Sequence, residues 1–290
     1  MVTIGAHVSA AGGISMAFDR ALQIGAEAVQ IHPTPPQTWR RIDPDPEQVA
    51  TFKRRMEETS LNAFFFHAVY LINLATAKEE LLAQSRGSLR HHLELANRLG
   101  VRGVIFHPGS HKGLGFETVL PQIAAAMRGA LDEAEGESLL IIENSAGSGD
   151  NIGSSFAQIR QMMEAVDDSR VRLCLDTAHA FTAGYDLRNE EGLRQTVAEL
   201  GREIGFERLA AIHANDSKAA FGSNVDRHQN IGDGEIGSEA FRRMLADPEL
   251  TRAPFILEVP GLEHQGPDRA NVERLRELAG LPQLQPSPEN

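Results

Sequence analysis

Eight short apolar runs punctuate the chain, and eight stretches with helical spacing follow them in turn. The runs are VTIGAHVS with His7, AEAVQIHP with His32, FFFHA at His67, VIFHP at His107, LLIIEN at Glu143, LCLDT at Asp176, AAIHAN at His213 and FILEVP at Glu258. Continuous apolar runs, rather than alternating ones, predict strands buried on both faces, as in a parallel sheet. The intervening segments predict amphipathic helices: GISMAFDRALQIG, PEQVATFKRRMEET, KEELLAQSRGSLRHHLELANRLG, ETVLPQIAAAMRGALDEAEG, SSFAQIRQMMEAV, EEGLRQTVAELGREIG, SEAFRRMLAD and DRANVERLRELAG. Several close on glycine, the expected C-terminal stop.

Successive marker residues stand 25 to 45 positions apart, enough for a strand, a helix and two loops. This alternation predicts an α/β fold of the (β/α)8 TIM-barrel type, whose functional groups gather at the C-terminal strand ends. An open doubly wound sheet would instead spread those ends along a crevice. With 290 residues, 41% of them hydrophobic, the chain reads as a single catalytic domain over residues 1–280. The Pro-rich, polar LPQLQPSPEN at 281–290 reads as a frayed tail. Two loops rich in turn formers, HPTPPQTWRR and GSNVDRHQNIGDGEIG, are candidates for substrate contact.

Composition narrows the function classes. The opening MVTIGAHVSAAGG has no basic start followed by an apolar stretch, and no run approaches a span of about 20 apolar residues, so a soluble, cytoplasmic monomer without membrane contact is expected. A formal net charge of -12 excludes binding of nucleic acid through a broad basic surface, though not through a local cationic site. Cys174 is the only cysteine and lies inside an apolar run, which favours a small core residue over a nucleophile.

The strand ends and their neighbours collect His67, His107, Glu143, Asp176, His179, His213, Asp226, His228 and Glu258. Mixed imidazole and carboxylate ligation suits zinc, with Mn²⁺ or Fe²⁺ as substitutes at one position. A catalytic zinc takes about three protein ligands, so nine serve three ions, or two ions with supporting partners. In DTAH, His179 sits one turn beyond Asp176; in VDRH, Asp226 and His228 are two apart and face the same way in extended chain. His7 and His32 lack a chelating neighbour and stay outside the set. His91 and His92, in a helical segment, and His264, in a late loop, read as solvated. His111 is either a partner of the site or a loop residue.

The segments GAHVSAAGG (5–13), YLINL (70–74), FHPGSH (106–111), IEN (142–144), DTAHAFTAGYDLR (176–188), HANDSKAAFGSNVDRH (213–228) and IGDGEIG (231–237) together resemble the endonuclease IV family of abasic-site (AP) endonucleases. The resemblance runs from about residue 3 to about 260 and implies a TIM barrel with three zinc ions. It implies His67, His107 and Glu143 on the first ion; Asp176, His213 and Glu258 on the second, with Glu143 bridging; and His179, Asp226 and His228 on the third. Glu143 would be the central catalytic residue. The implied activity is hydrolysis of the phosphodiester 5′ of an abasic site in duplex DNA, leaving a 3′-hydroxyl and a 5′-deoxyribose phosphate, with trimming of blocked 3′ ends. Members insert loop side chains into the base stack. Tyr70 matches the inserting tyrosine; where the family often has arginine this chain has Gln37, with Trp39, Arg40 and Arg41 close by.

Two other classes compete. Sugar isomerases and epimerases of the same barrel type also gather Glu, Asp and His at strand ends, usually around one or two ions in a shell richer in carboxylates. A structural zinc protein needs only four ligands. Five histidines and the VDRH pair weigh against the isomerase, and the acidic charge and the larger ligand set weigh against a non-catalytic DNA-binding or structural zinc protein.

Overall fold

The computed structural model describes residues 2–285. Among them, eight parallel strands close into a barrel: β1 (Ile4–His7), β2 (Ala28–Ile31), β3 (Ala63–His67), β4 (Gly103–Phe106), β5 (Leu139–Glu143), β6 (Val171–Asp176), β7 (Leu209–His213) and, eighth around the ring, β10 (Phe255–Leu257), which pairs with β1. Two two-residue strands, β8 (Asp216–Ser217) and β9 (His228–Gln229), form a small antiparallel ribbon outside the barrel. The TIM-barrel expectation is met, and the eight expected helices all form.

Period-two alternation places the chemistry. Phe64 and Phe66 point outward into the layer between strands and helices, whereas Phe65 packs in the lumen with Ala28, Ile105, Ile141, Cys174, Ala211 and Ile256. Each of these lumen residues is followed two positions later by a polar side chain: Gln30, His67, His107, Glu143, Asp176, His213 or Glu258. Side chains two apart on a strand share a face, so the apolar layer below becomes the floor of a polar layer above. The lumen is tight at the first strand. A Cβ on Gly5 would stand 2.6 Å from the Ala28 carbonyl oxygen, so only glycine fits there.

The helices wrap the barrel from α1 (Met16–Ile24), closed by Gly25 at φ 78°, to α9 (Arg269–Leu278). Asp45 opens α2 (Pro46–Glu58) with a capping box to Gln48. The helical periodicity did not reveal the seven-residue helix α6 (Thr177–Ala183) directly after β6. Neither His91 nor His92 is solvated as expected: both are buried on α3 (Glu79–Leu99). His92 bonds the Ser88 carbonyl through Nδ1 at 2.7 Å and Thr34 Oγ1 through Nε2 at 3.3 Å, so the helix face over the β2 loop is polar but covered. His264 is exposed, as expected. Of the segment 281–290, Leu281 and Leu284 pack against the apolar core, and residues 286–290 lie outside the described residues. Cys174 is fully buried in the lumen, and burial pushes its thiol up to about 12.

Candidate metal centre

Three groups of ligand-type atoms cluster at the C-terminal mouth: His67, His107 and Glu143; Glu143, Asp176, His213 and Glu258; and Asp176, His179 and His228. Glu143 joins the first two. Its Oε2 lies 3.1 Å from His67 Nε2 and 3.4 Å from His107 Nε2, while its Oε1 lies 3.2 Å from His213 Nδ1 and 3.3 Å from His179 Nδ1. His213 Nδ1 also lies 3.2 Å from Glu258 Oε2. In the third group Asp226 reaches in from the exposed loop, its Oδ1 3.2 Å from His179 Nε2 and 3.3 Å from His228 Nε2. All nine side chains named from the sequence therefore meet here, with Asp176 between the second and third groups.

Close approach is not hydrogen bonding at every contact. His179 Nε2, His213 Nδ1 and His228 Nε2 are buried without a hydrogen-bond partner, although each has a carboxylate oxygen within 3.3 Å. An orphaned buried ring nitrogen is costly unless something else satisfies it. The opposite nitrogens are all tied to oxygen acceptors: His67 Nδ1 to the Ala68 carbonyl at 2.8 Å, His179 Nδ1 to the Asn144 carbonyl at 2.9 Å, His213 Nε2 to Gln30 Oε1 at 2.8 Å and His228 Nδ1 to the Glu258 carbonyl at 3.4 Å. Such tethering fixes ring and tautomer and leaves one lone pair facing the carboxylates, the arrangement that imidazole ligands of a metal require. The donor set fits divalent metal.

Electrostatics agree with that reading. Burial opposes charge throughout, yet His107 and His213 hold the Glu143 carboxyl well below the usual range, and His213 and His7 do the same for Glu258. Against burial, Asp176, Asp226 and Glu143 hold His179 well above its ordinary value, and Asp176 and Asp226 raise His228 to about 9. The carboxylates call for positive charge at the ring nitrogens that face them.

Other residues complete the mouth. Buried Gln30 reaches two ligands: its Oε1 accepts from His213 Nε2, and its Nε2 donates to Glu258 Oε1 at 2.6 Å. Asn215 donates to Asp176 Oδ2 at 2.7 Å and accepts from the Glu258 backbone N–H at 2.9 Å. Asn144 accepts from the Asp176 backbone N–H at 2.6 Å. These three amides escaped the sequence reading, which looked only for ligand types. His7 and His32 do border the site: His7 Nδ1 is 3.0 Å from Glu258 Oε1, and His32 spans the His67 carbonyl and the Tyr70 hydroxyl. His111 serves its own loop, its Nδ1 accepting from the Gly115 backbone N–H at 3.3 Å.

Of the side chains proposed to touch DNA, Tyr70 is 57% exposed at the rim, and Gln37 and Arg40 are exposed on the β2 loop. Trp39 is half-buried and packs against the apolar core. Tyr70, His32, Pro33, Pro36, His228, Glu258 and Pro260 line a cavity of about 680 Å³ that opens beside the ligand groups.

Comparison with known proteins shows the family of the chain. Residues 18–278 match the family model for the xylose isomerase-like TIM barrel. The chain is 38% identical over 274 residues to a protein named probable endonuclease 4 from Halothermothrix orenii, covering 94% of this chain and 99% of that one. Among solved structures, endonuclease IV from Thermus thermophilus superimposes with a TM-score of 0.85 at 34% identity, over 96% of this chain and 99% of that chain. A 3-keto-D-glucoside 4-epimerase from E. coli shares the fold alone, with a TM-score of 0.67 at 13% identity, over 97% of this chain and 100% of that chain. The chain belongs to the endonuclease IV family.

Proposed function

We propose that this protein is a zinc-dependent DNA repair endonuclease that hydrolyses the phosphodiester 5′ of an abasic site in duplex DNA, giving a 3′-hydroxyl and a 5′-deoxyribose phosphate, and that also trims blocked 3′ ends. The observation that carries the reading is Glu143, whose two carboxylate oxygens each face a different imidazole group at 3.1 to 3.4 Å. His67, His107 and Glu143 would hold one ion; Glu143, Asp176, His213 and Glu258 a second; and His179, Asp226 and His228 a third, with Mn²⁺ or Fe²⁺ able to replace one zinc. When bound, zinc supplies Lewis acidity that makes water acidic near neutral pH and offsets the charge that grows on the phosphoryl group and leaving oxygen. Glu143 keeps the first two groups in register, and the amides of Gln30, Asn144 and Asn215 fix the rings and carboxylates around it.

Selectivity in this reading comes from shape, because the phosphodiester is the same at every nucleotide. A baseless sugar leaves the helix at the lowest cost, since no pairing or stacking is lost. Tyr70 stands exposed where it can fill the gap, and Gln37 and Arg40 border it on the neighbouring loop. Trp39 supports that loop from beneath and contributes to DNA binding through its position rather than by insertion. No helix among the described residues is long and apolar enough to cross a membrane. Action on DNA as a cytoplasmic monomer is part of the proposal.

A sugar isomerase or epimerase on the same barrel is the alternative. Asp226 and His228 favour the nuclease, because they add a third group from a loop beyond the strand ends. Metal analysis of the purified protein tests the reading: about three zinc ions per chain support it, and one or two support the isomerase. Phenanthroline should abolish strand cleavage in the first case.

A further inference from the structure

Asp216 is fully buried two residues beyond Ala214 on the β7 exit, next to the HAN segment that carries His213, and it looks at first like a tenth ligand. Its oxygens are committed elsewhere. Oδ1 accepts from the backbone N–H of Ser217 at 2.8 Å and Ile236 at 3.0 Å, and Oδ2 from those of Gly232 at 2.9 Å, Gly234 at 3.1 Å and Gly237 at 3.2 Å. One carboxylate thus gathers the first residue and the last turn of the long loop 217–237 into a single knot.

What that loop carries gives the knot its meaning. Between its ends lie Asp226 and His228, and His228 is placed by the ribbon in which Ser217 pairs with His228 and Asp216 with Gln229. The ribbon is extended by the Lys218 backbone N–H bonding the Arg227 carbonyl at 2.8 Å, while the Glu235 N–H bonds the Ser217 carbonyl at 2.7 Å. A loop of this length without an anchor would sample many conformations, at an entropic cost to any ligand it presents. Close packing around the anchor excludes side chains: a Cβ on Gly234 would stand 2.5 Å from Asp216 Oδ1 and 2.5 Å from the Ser217 carbonyl oxygen.

We propose that Asp216 is a positioning residue that holds the 217–237 loop so that Asp226 and His228 stand ready for the third metal before it binds. The function of the knot rests on the three-ion reading above, whereas its existence as an anchor does not. In Asp216→Asn the amide N–H₂ replaces an acceptor and points at backbone donors, so the knot opens while the barrel stays closed. Gly234→Ala opens it from the other side, its Cβ crowding the carboxylate while the charge of Asp216 is kept.

Two readouts separate the possibilities. Lys218 and Arg227 are exposed and lie at the ribbon end, so trypsin cleavage after them, followed by mass spectrometry on the metal-free protein, reports loop opening. Both variants should be cut there at least about tenfold faster than the parent, because cleavage tracks the population of the open form. Both should also retain one zinc fewer per chain than the parent after identical loading and dialysis, with the unfolding transition still cooperative. Parent-like cleavage and parent-like zinc content in the two variants would overturn the proposal. If the parent itself binds fewer than three ions, the functional reading fails, and the trypsin rates alone decide whether Asp216 anchors the loop.

Discussion

Gln30 Oε1 lies 2.8 Å from His213 Nε2, deep in the barrel mouth, and so leaves His213 Nδ1 facing both Glu143 and Glu258. The amide acts twice, because its Nε2 donates to Glu258 as well. Gln30→Ala should weaken zinc retention by about 10- to 100-fold, the usual effect of losing the partner of a metal-bound imidazole. Competition with a chromogenic chelator measures it. Parent-like retention would mean that packing alone orients His213.

Glu143→Gln keeps the shape of the central side chain and removes its charge. Cleavage of an abasic-site duplex should fall by at least about 100-fold, in line with the effect of a misassembled metal centre. Zinc content should fall with it, since Glu143 is common to two of the groups. Full zinc content with lost activity would instead assign Glu143 a role after the metals bind.

Metal uptake should release protons. His228 is raised to about 9 by Asp176 and Asp226 in the metal-free protein, against burial, and metal binding needs the neutral ring. A raised histidine stabilises the metal-free fold fully below its unfolded value of 6.5, and that contribution disappears as the pH rises through about 9. Zinc affinity therefore strengthens over the same rise. Calorimetric titration at about pH 7.5 in two buffers of different ionisation enthalpy should show net proton release, and His228→Ala should reduce it.

Away from the metals, His92 sets an acid limit. Burial lowers it to about 4, with its Nδ1 tied to the Ser88 carbonyl. The unfolded chain takes up this proton near 6.5 and the native protein does not, so stability falls as the pH drops from 6.5 to about 4 and then levels. The group is worth about 3 kcal/mol over that window. Urea unfolding of the metal-free parent at about pH 7 and about pH 4.5 should show a drop that His92→Gln reduces.

Much of the architecture was legible because a parallel barrel strand writes its pattern locally. Phe65 and His67, or Ile141 and Glu143, are two apart, so an apolar run that ends on a ligand already states which face meets the lumen. The ligands that VDRH contributes were legible from their own spacing. Gln30 was not, because the run AVQIHP drew attention to His32, two residues too late on the same face. Asn215 was hidden because its partners, Asp176 and the Glu258 N–H, come close only by closure of the barrel, and Asp216 because its partners are backbone N–H groups of the folded loop that follows it. His91 and His92 misled because a polar pair on a helix looks solvated until the loop that covers it is placed.

The most direct test of the account is the position of a single cut. A 5′-labelled duplex carrying one tetrahydrofuran abasic mimic, incubated with the zinc-loaded protein, should give one product that ends immediately 5′ of the mimic and that a polymerase can extend, which proves a 3′-hydroxyl. An intact strand, together with isomerisation or epimerisation of a free sugar by the same preparation, would contradict it.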